Sequence, residues 1–321
     1  MLYNIAAIIA GFLLLIWSAD RFICGAAATA RNFNISPLII GLTIVGFGTS
    51  APEMLVAAIA SADASPGLAI GNALGSNIAN ITLVLGMAAL IMPLDVHSRI
   101  LRKELPMLLL AMLLMLLVIE DNYLGRADGL ILISSVLLLM WWVTRQAMLN
   151  RADDALYEEY EKELPKPMST RSALIWLVLG LVVLVISSKI LVWGAVHIAT
   201  EFGVSDLLIG LTIVAIGTSL PELAASIAGA LKNEHDIAIG NVVGSNMFNT
   251  LAVMGIPGLI YPSTLQAGVL DRDVPVVFML TIALVIMAYG FKGPGRINRI
   301  EGAILLSCFV GYQVLLYFTE L

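Results

Sequence analysis

The sequence predicts an all-α polytopic membrane protein, ten transmembrane helices in two inverted five-helix repeats, and three observations carry that prediction. Apolar residues fill 60% of the 321 positions and charged residues only 12%, with a mean hydropathy of +0.96, whereas a soluble domain carries about 25% charged residues. Ten apolar runs reach about 17 to 28 residues, the length needed to cross a ~30 Å hydrocarbon core. The stretches 36–86 and 205–255 align without a gap and are identical at nearly half of their positions, and such self-similarity marks a fold built from repeats. The two copies lie five spans apart. Five is odd, so the copies enter the membrane from opposite sides.

The spans fall near 4–29, 36–61, 68–92, 104–120, 128–145, 172–199, 205–231, 236–260, 273–291 and 299–318. Loops between them are short except for 146–171, where RADDALYEEYEKELPKPMSTR alternates its charges as a short surface helix does, ended by Pro165 and Pro167. The chain thus divides into a first five-helix repeat (1–145), a linker (146–171) and a second, inverted repeat (172–321). Lys and Arg sort by side. Arg31, Arg99, Arg102, Lys103, Arg145, Arg151, Lys162, Lys166, Arg171, Lys232, Lys292, Arg296 and Arg299 share one side, against only Arg126 and Arg272 on the other. The positive-inside rule makes the first side cytoplasmic, with the linker in the cytoplasm and both termini outside. The first apolar run carries no signal-peptide cleavage pattern and reads as a span. Cys24 and Cys308 sit in apolar runs with no partner spacing, so neither a disulfide framework nor a thiolate metal site is expected.

The chemistry lies in the repeated stretch. Each copy sets GTSxPE in the middle of an apolar run, as Thr49, Ser50, Pro52 and Glu53 and again as Thr218, Ser219, Pro221 and Glu222. A Glu costs about 2.5 kcal/mol or more at the bilayer centre and is rarely left there without a task. Each proline lacks an N–H and opposes the carbonyl four residues earlier, freeing carbonyls near Gly48 and Gly217. Unwound backbone at that depth must line a cavity or be buried in protein. Inverted repeats with interrupted helices are how many secondary transporters build a midplane site.

Downstream, GNxxGSNxxN spaces Asn72, Ser76 and Asn80 by four, and likewise Asn241, Ser245 and Asn249, so each trio lies along one helix face. This stripe is expected to face the Glu-bearing helix. Carboxylates, hydroxyls, amide oxygens and free carbonyls are hard donors, which suit Ca²⁺ and, by size, Na⁺. His97 and His235 in loops and His197 near a span end offer no soft ligand to such a pocket, which disfavours zinc and copper.

Paired GTSxPE segments, each followed by GNxxGSNxxN, in two halves of five spans, resemble the cation/Ca²⁺ exchanger superfamily, and within it the prokaryotic sodium/calcium exchangers. The resemblance runs from end to end of the chain. It implies an antiporter that exchanges Ca²⁺ for Na⁺ by alternating access, with no cofactor beyond the transported ions, in the plasma membrane (the bacterial inner membrane). It implies Glu53 and Glu222 as the main Ca²⁺ ligands. Further contributions come from around Gly46, Thr49, Ser50, Ala215, Thr218 and Ser219, with Ser76, Asn80, Ser245 and Asn249 on the facing helices. The first and sixth spans become sliding gates. The alternative is a cation/proton (Ca²⁺/H⁺) antiporter, but the GNxxE pattern of that group is missing, since Gly75 and Gly244 occupy its last position. In part of the family an Asp stands where this chain has Asn249, so the site here has one titratable group fewer. The sixth span also carries Ser188 and Lys189 where relatives often have an acid. Asp20 and Lys189 are equivalent positions in the two repeats, and contact between those spans would let them pair as a structural or gating ion pair, with Arg21 as the competing partner.

Several features have plainer readings. The Gly71/Gly75 and Gly240/Gly244 pairs read as close helix packing. Asn77 and Asn246 either serve the site or simply hydrogen-bond neighbouring helices. Thr49 and Thr218 are weaker ligand candidates than the glutamates, because membrane Thr often bonds back to its own backbone. The Met-rich fourth span, MLLLAMLLMLL, reads as lipid-facing filler. A channel would need a continuous polar path, usually from an oligomer, whereas polarity here is concentrated at one site that needs no oligomer. An enzyme would need a catalytic His, a metal triad or an activated nucleophile, and no span places a His beside either Glu. The expected partners are Ca²⁺, Na⁺ and the lipid bilayer, with no nucleic acid.

Overall fold

The computed structural model describes residues 2–33, 50–96, 104–149, 168–231, 235–289 and 295–320. They form α1 (Leu2–Asn32), α2 (Ala51–Ala62), α3 (Pro66–Ile91), α4 (Leu105–Ile119) and α5 (Arg126–Leu149). The second half contributes α6 (Thr170–Phe202), α7 (Asp206–Leu231), α8 (235–260), α9 (Val274–Tyr289) and α10 (Arg299–Glu320). Among the described residues, seven helices (α1, α3, α5, α6, α7, α8 and α10) are long and apolar enough to cross a membrane by length and composition alone. The linker residues 150–167 and the predicted span residues 36–49 lie outside the described residues.

Proline sets several starts. Pro52, Pro66 and Pro106 occupy the first two positions of α2, α3 and α4, where the missing N–H has no intrahelical partner to lose and the fixed φ suits a helix. Burial then ranks the helices. In α3, 78% of the apolar window is buried, against 17% in α5 and 22% in α10, so α3 is a core helix and the other two face lipid. The Met-rich α4 has a core side that the sequence reading of filler missed. Leu108, Met112 and Met115 are buried while Leu110, Leu113, Leu116 and Leu117 are exposed. Uniform hydrophobicity hides such a face from the sequence, and the flexible thioethers fit irregular gaps where α4 meets α8 and α9.

α1 and α6 pack backbone to backbone. A Cβ added at Gly11 would meet Leu191, at Gly25 Leu177, at Gly180 Phe22 and at Gly194 Ile8. Residue numbers rise along one helix as they fall along the other, so the two run antiparallel, brought close by small residues. Two short antiparallel ribbons also join the halves: β1 (Leu94–Val96) with β4 (Gly295–Ile297), and β2 (Tyr123–Leu124) with β3 (Ser263–Thr264). In the first, Asp95 opposes Arg296 and lies 3.2 Å from its Nε.

Candidate cation site

The polar interior is organised by two serine turns of the same backbone shape, each leading into a glutamate-bearing helix. Ser50 (φ −88°, ψ 2°) precedes α2, and Ser219 (φ −82°, ψ 2°) divides α7 between Thr218 and Leu220. Both sit in the sparsely populated bridge region of backbone space. Two residues later Pro52 and Pro221 prevent the preceding turn from closing. Glu53 and Glu222 then fall in the first turn of the helices that follow, where exposed N–H groups and the helix dipole favour negative charge. Both side chains are fully buried.

Asparagines hold these turns in place. Asn72 Nδ2 donates to the Glu53 carbonyl at 3.3 Å, and Asn241 Nδ2 to the Glu222 carbonyl at 3.2 Å. Ser245 Oγ donates to Glu222 Oε1 at 3.3 Å. Thr218 Oγ1 donates to Asn72 Oδ1 at 3.1 Å and lies 3.4 Å from Ser76 Oγ. The network therefore ties α2, α3, α7 and α8 together across the two halves. Nine buried side-chain oxygens have no hydrogen-bond partner among the described residues: Ser50 Oγ, both carboxylate oxygens of Glu53, Glu222 Oε2, Asn77 Oδ1, Asn80 Oδ1, Ser219 Oγ and Asn249 Oδ1 on the site helices, and Ser188 Oγ on α6. Each such atom costs about 1–3 kcal/mol when buried, a penalty that a cation taking six to eight hard oxygens removes. Among the described residues no group of three or more His, Cys, Asp and Glu side chains gathers, so the donor set is two carboxylates among neutral oxygens.

The sequence candidates fare unequally. Glu53, Glu222, Ser50, Thr218, Ser219, Ser76, Ser245, Asn80 and Asn249 are all buried on these helices. Gly46 and Thr49 lie outside the described residues, as does the carbonyl near Gly48. The Ala215 carbonyl accepts from Ser219 N at 3.1 Å and lies 3.4 Å from Thr218 Oγ1. The expected Asp20–Lys189 pair is corrected. Asp20 Oδ2 lies 3.6 Å from Arg21 Nε, and no ion pair joins Asp20 to Lys189 among the described residues. The helix register explains this. Gly11 opposes Leu191 and Gly25 opposes Leu177, which puts Asp20 and Lys189 about seven residues, roughly 10 Å, out of step along the antiparallel pair.

Gly71 and Gly75 do pack closely, against 207–215 of α7, whereas no described atom comes within 4 Å of a Cβ added at Gly244. Three features escaped the sequence reading. Asn72 and Asn241 brace the glutamate backbones, and both stand 19 residues after their Glu, a regularity visible in the repeat. Asn80 and Asn249 each open a π turn, at Asn80–Val84 and Asn249–Val253, and such turns are frequent at functional sites. Phe12 of α1 lies against Gly217, so that a Cβ there would fall within its ring.

Fold and buried polar interior together define a multi-pass helical membrane protein of the cation-exchanging class. The chain belongs to the sodium/calcium exchanger protein family, whose model matches residues 3–145 and 172–318. It is 50% identical over 317 residues to CaxA of Alkalimonas amylolytica, covering 99% of both chains. It is 27% identical over 310 residues to the Ca²⁺/H⁺ antiporter ChaA of Bacillus subtilis, covering 89% of this chain and 85% of that one. Among solved structures it resembles the sodium-calcium exchanger NCX_Mj, with TM-score 0.66, 29% identity and coverage of 100% of this chain and 99% of the other.

Proposed function

We propose that this protein is an antiporter that exchanges Ca²⁺ for Na⁺ by alternating access at a midplane site built by the two GTSxPE helices. The observation that carries the reading is the pair of fully buried glutamates, Glu53 and Glu222, three residues after serine turns of matching geometry, with unpartnered oxygens around them. Ca²⁺ and Na⁺ are the substrates. The ligands are Glu53 and Glu222, with Ser50, Ser219, Thr218, Ser76, Ser245, Asn80 and Asn249, and with Thr49, Gly46 and Ala215 following from the family motif. With both glutamates ionised the site carries about −2, which one Ca²⁺ neutralises and three Na⁺ leave at +1, so a three-for-one cycle moves net charge with the Na⁺-loaded form.

Ten crossings in two inverted five-helix halves, 1–145 and 172–321 about a cytoplasmic linker, give this site its two access routes. Supporting that architecture are the reciprocal glycine contacts of α1 and α6, the matched geometry of Ser50 and Ser219, and a family model that fits the chain twice. α1 and α6 act as the gates, and the Phe12 ring of α1 lies against Gly217, the residue before Thr218. The protein sits in the bacterial inner membrane with both termini outside.

Cation/proton exchange is the second reading, favoured by the similarity to ChaA over 89% of the chain. In this chain Glu53 and Glu222 would then have to bind and release the protons themselves. Purified protein in liposomes, under separately imposed Na⁺, K⁺ and proton gradients, tests both. Sodium-driven Ca²⁺ counterflow is expected, and Ca²⁺ flux driven fully by a pH gradient in sodium-free liposomes would establish the second reading instead.

A further inference from the structure

Between α3 and α8 lies a knot of buried amides, Asn77, Asn80, Asn246 and Asn249, together with Thr250. Its hydrogen bonds run in one direction. Asn246 Nδ2 donates to the backbone carbonyl of Asn77 at 3.4 Å, and Asn80 Nδ2 donates to Asn246 Oδ1 at 3.1 Å. A backbone carbonyl can only accept, so Asn246 must present its NH₂ group there. Its oxygen is thereby turned to Asn80, which in turn must donate. The carbonyl of Asn77 thus dictates the orientation of two carboxamides in series, and Asn80 Oδ1 is left buried with no hydrogen-bond partner among the described residues.

The opposite half is not built the same way. In the repeat alignment Asn249 corresponds to Asn80 and Asn77 to Asn246, but Thr250 corresponds to Ile81. Asn77 Nδ2 donates to Thr250 Oγ1 at 3.0 Å, a partner that the apolar Ile81 cannot offer Asn246. Neither amide atom of Asn249 has a partner among the described residues. One amide at the site has its orientation fixed by a hydrogen bond and its repeat counterpart has no such bond among the described residues.

We infer that Asn246 is a positioning residue: it orients the Asn80 carboxamide so that the oxygen, not the NH₂ group, is offered to the transported cation. The inference rests on the exchange reading above. Without Asn246 the Asn80 amide can flip, and its NH₂ group then faces the cation with the wrong sign of partial charge. A carboxylate at position 80 offers an oxygen whichever way it turns and, having no N–H to give Asn246 Oδ1, gains nothing from Asn246.

The test is equilibrium binding of ⁴⁵Ca²⁺ to the purified full chain in sodium-free detergent solution. Asn246→Val, and Asn246→Ser as a second variant, should weaken Ca²⁺ binding by about 10- to 100-fold, the usual cost of losing a partner that orients a metal ligand. In an Asn80→Asp background the same substitutions should weaken affinity by no more than about threefold, and any larger change should be a gain from removing an oxygen that faces the carboxylate, a rescue that a merely structural role would not produce. Affinity unchanged by Asn246→Val, or weakened equally in both backgrounds, overturns the inference. So does failure of both Asn246 variants to give folded protein. Glu53→Gln in parallel separates the two levels. If it retains Ca²⁺, the exchange site itself is misassigned, whereas loss of binding there beside normal binding in Asn246→Val defeats the positioning role alone.

Discussion

Replacing Glu53 by Gln keeps the shape of the side chain and removes one of the two buried charges. Both Glu53 oxygens are without hydrogen-bond partners among the described residues, so the proposed ion is what this carboxylate would bind. Removing one partner of a buried charge pair costs about 3–5 kcal/mol, which lowers Ca²⁺ affinity by roughly two to three and a half orders of magnitude. A monovalent ion feels half the Coulomb energy, so Na⁺ binding should weaken by only about one to two orders. The assay is thermal unfolding of the purified protein with and without Ca²⁺. At a Ca²⁺ concentration 100 times the wild-type Kd, binding stabilises the wild type by about 2.7 kcal/mol, and a variant bound ~150-fold more weakly gains only about 0.3 kcal/mol. Without cations Glu53→Gln should be no less stable than wild type, since it removes a fully buried carboxylate whose oxygens have no hydrogen-bond partner among the described residues. Glu222→Gln should behave alike, and each should abolish Ca²⁺ flux in liposomes. A Glu53→Gln protein with an undiminished Ca²⁺-dependent rise in Tm refutes the reasoning.

Other outcomes follow from packing and charge placement. Gly71→Val should cost about 1–3 kcal/mol of stability by overpacking against the α7 backbone at Leu207, while Gly244→Ala, with no described atom within 4 Å of the added Cβ, should be tolerated; equal loss of thermal stability in both would contradict the packing assigned here. Asp20→Asn and Lys189→Gln should be additive in a double-mutant cycle to within about 0.5 kcal/mol, because Asp20 neighbours Arg21 instead, and a larger coupling energy would restore the pair. Cysteines placed in 150–167 should react with impermeant thiol reagents only from the cytoplasmic side and cysteines at either terminus only from outside, following the Lys/Arg asymmetry; termini labelled on different sides would refute ten crossings.

Much of the site was legible before any coordinates. GTSxPE and GNxxGSNxxN stand in the chain as charged and polar letters within apolar runs, and the cost of burying a Glu in lipid makes them conspicuous. What escaped reading was relational. The bracing of Glu53 by Asn72 was readable only as a constant spacing of 19. The failure of Asp20 and Lys189 to meet depended on the axial register of two helices. The inward side of Met112 and Met115 depended on which neighbours α4 touches, and a uniformly apolar helix carries no periodic mark of that.

By itself, the sequence determined the class of the protein, the places of its apolar runs, the repeat and the residue types available to hold a cation, because these follow from local composition and from the cost of polar groups in hydrocarbon. Only the tertiary structure decided which of those polar atoms satisfy one another and which are left over. Asn80 meets Asn246 across 166 residues of chain, and the carbonyl that orients them both is backbone, present at every position and invisible in the sequence until the fold selects it. An amide's role as donor or ligand depends on what already faces its other end, and that is a property of packing.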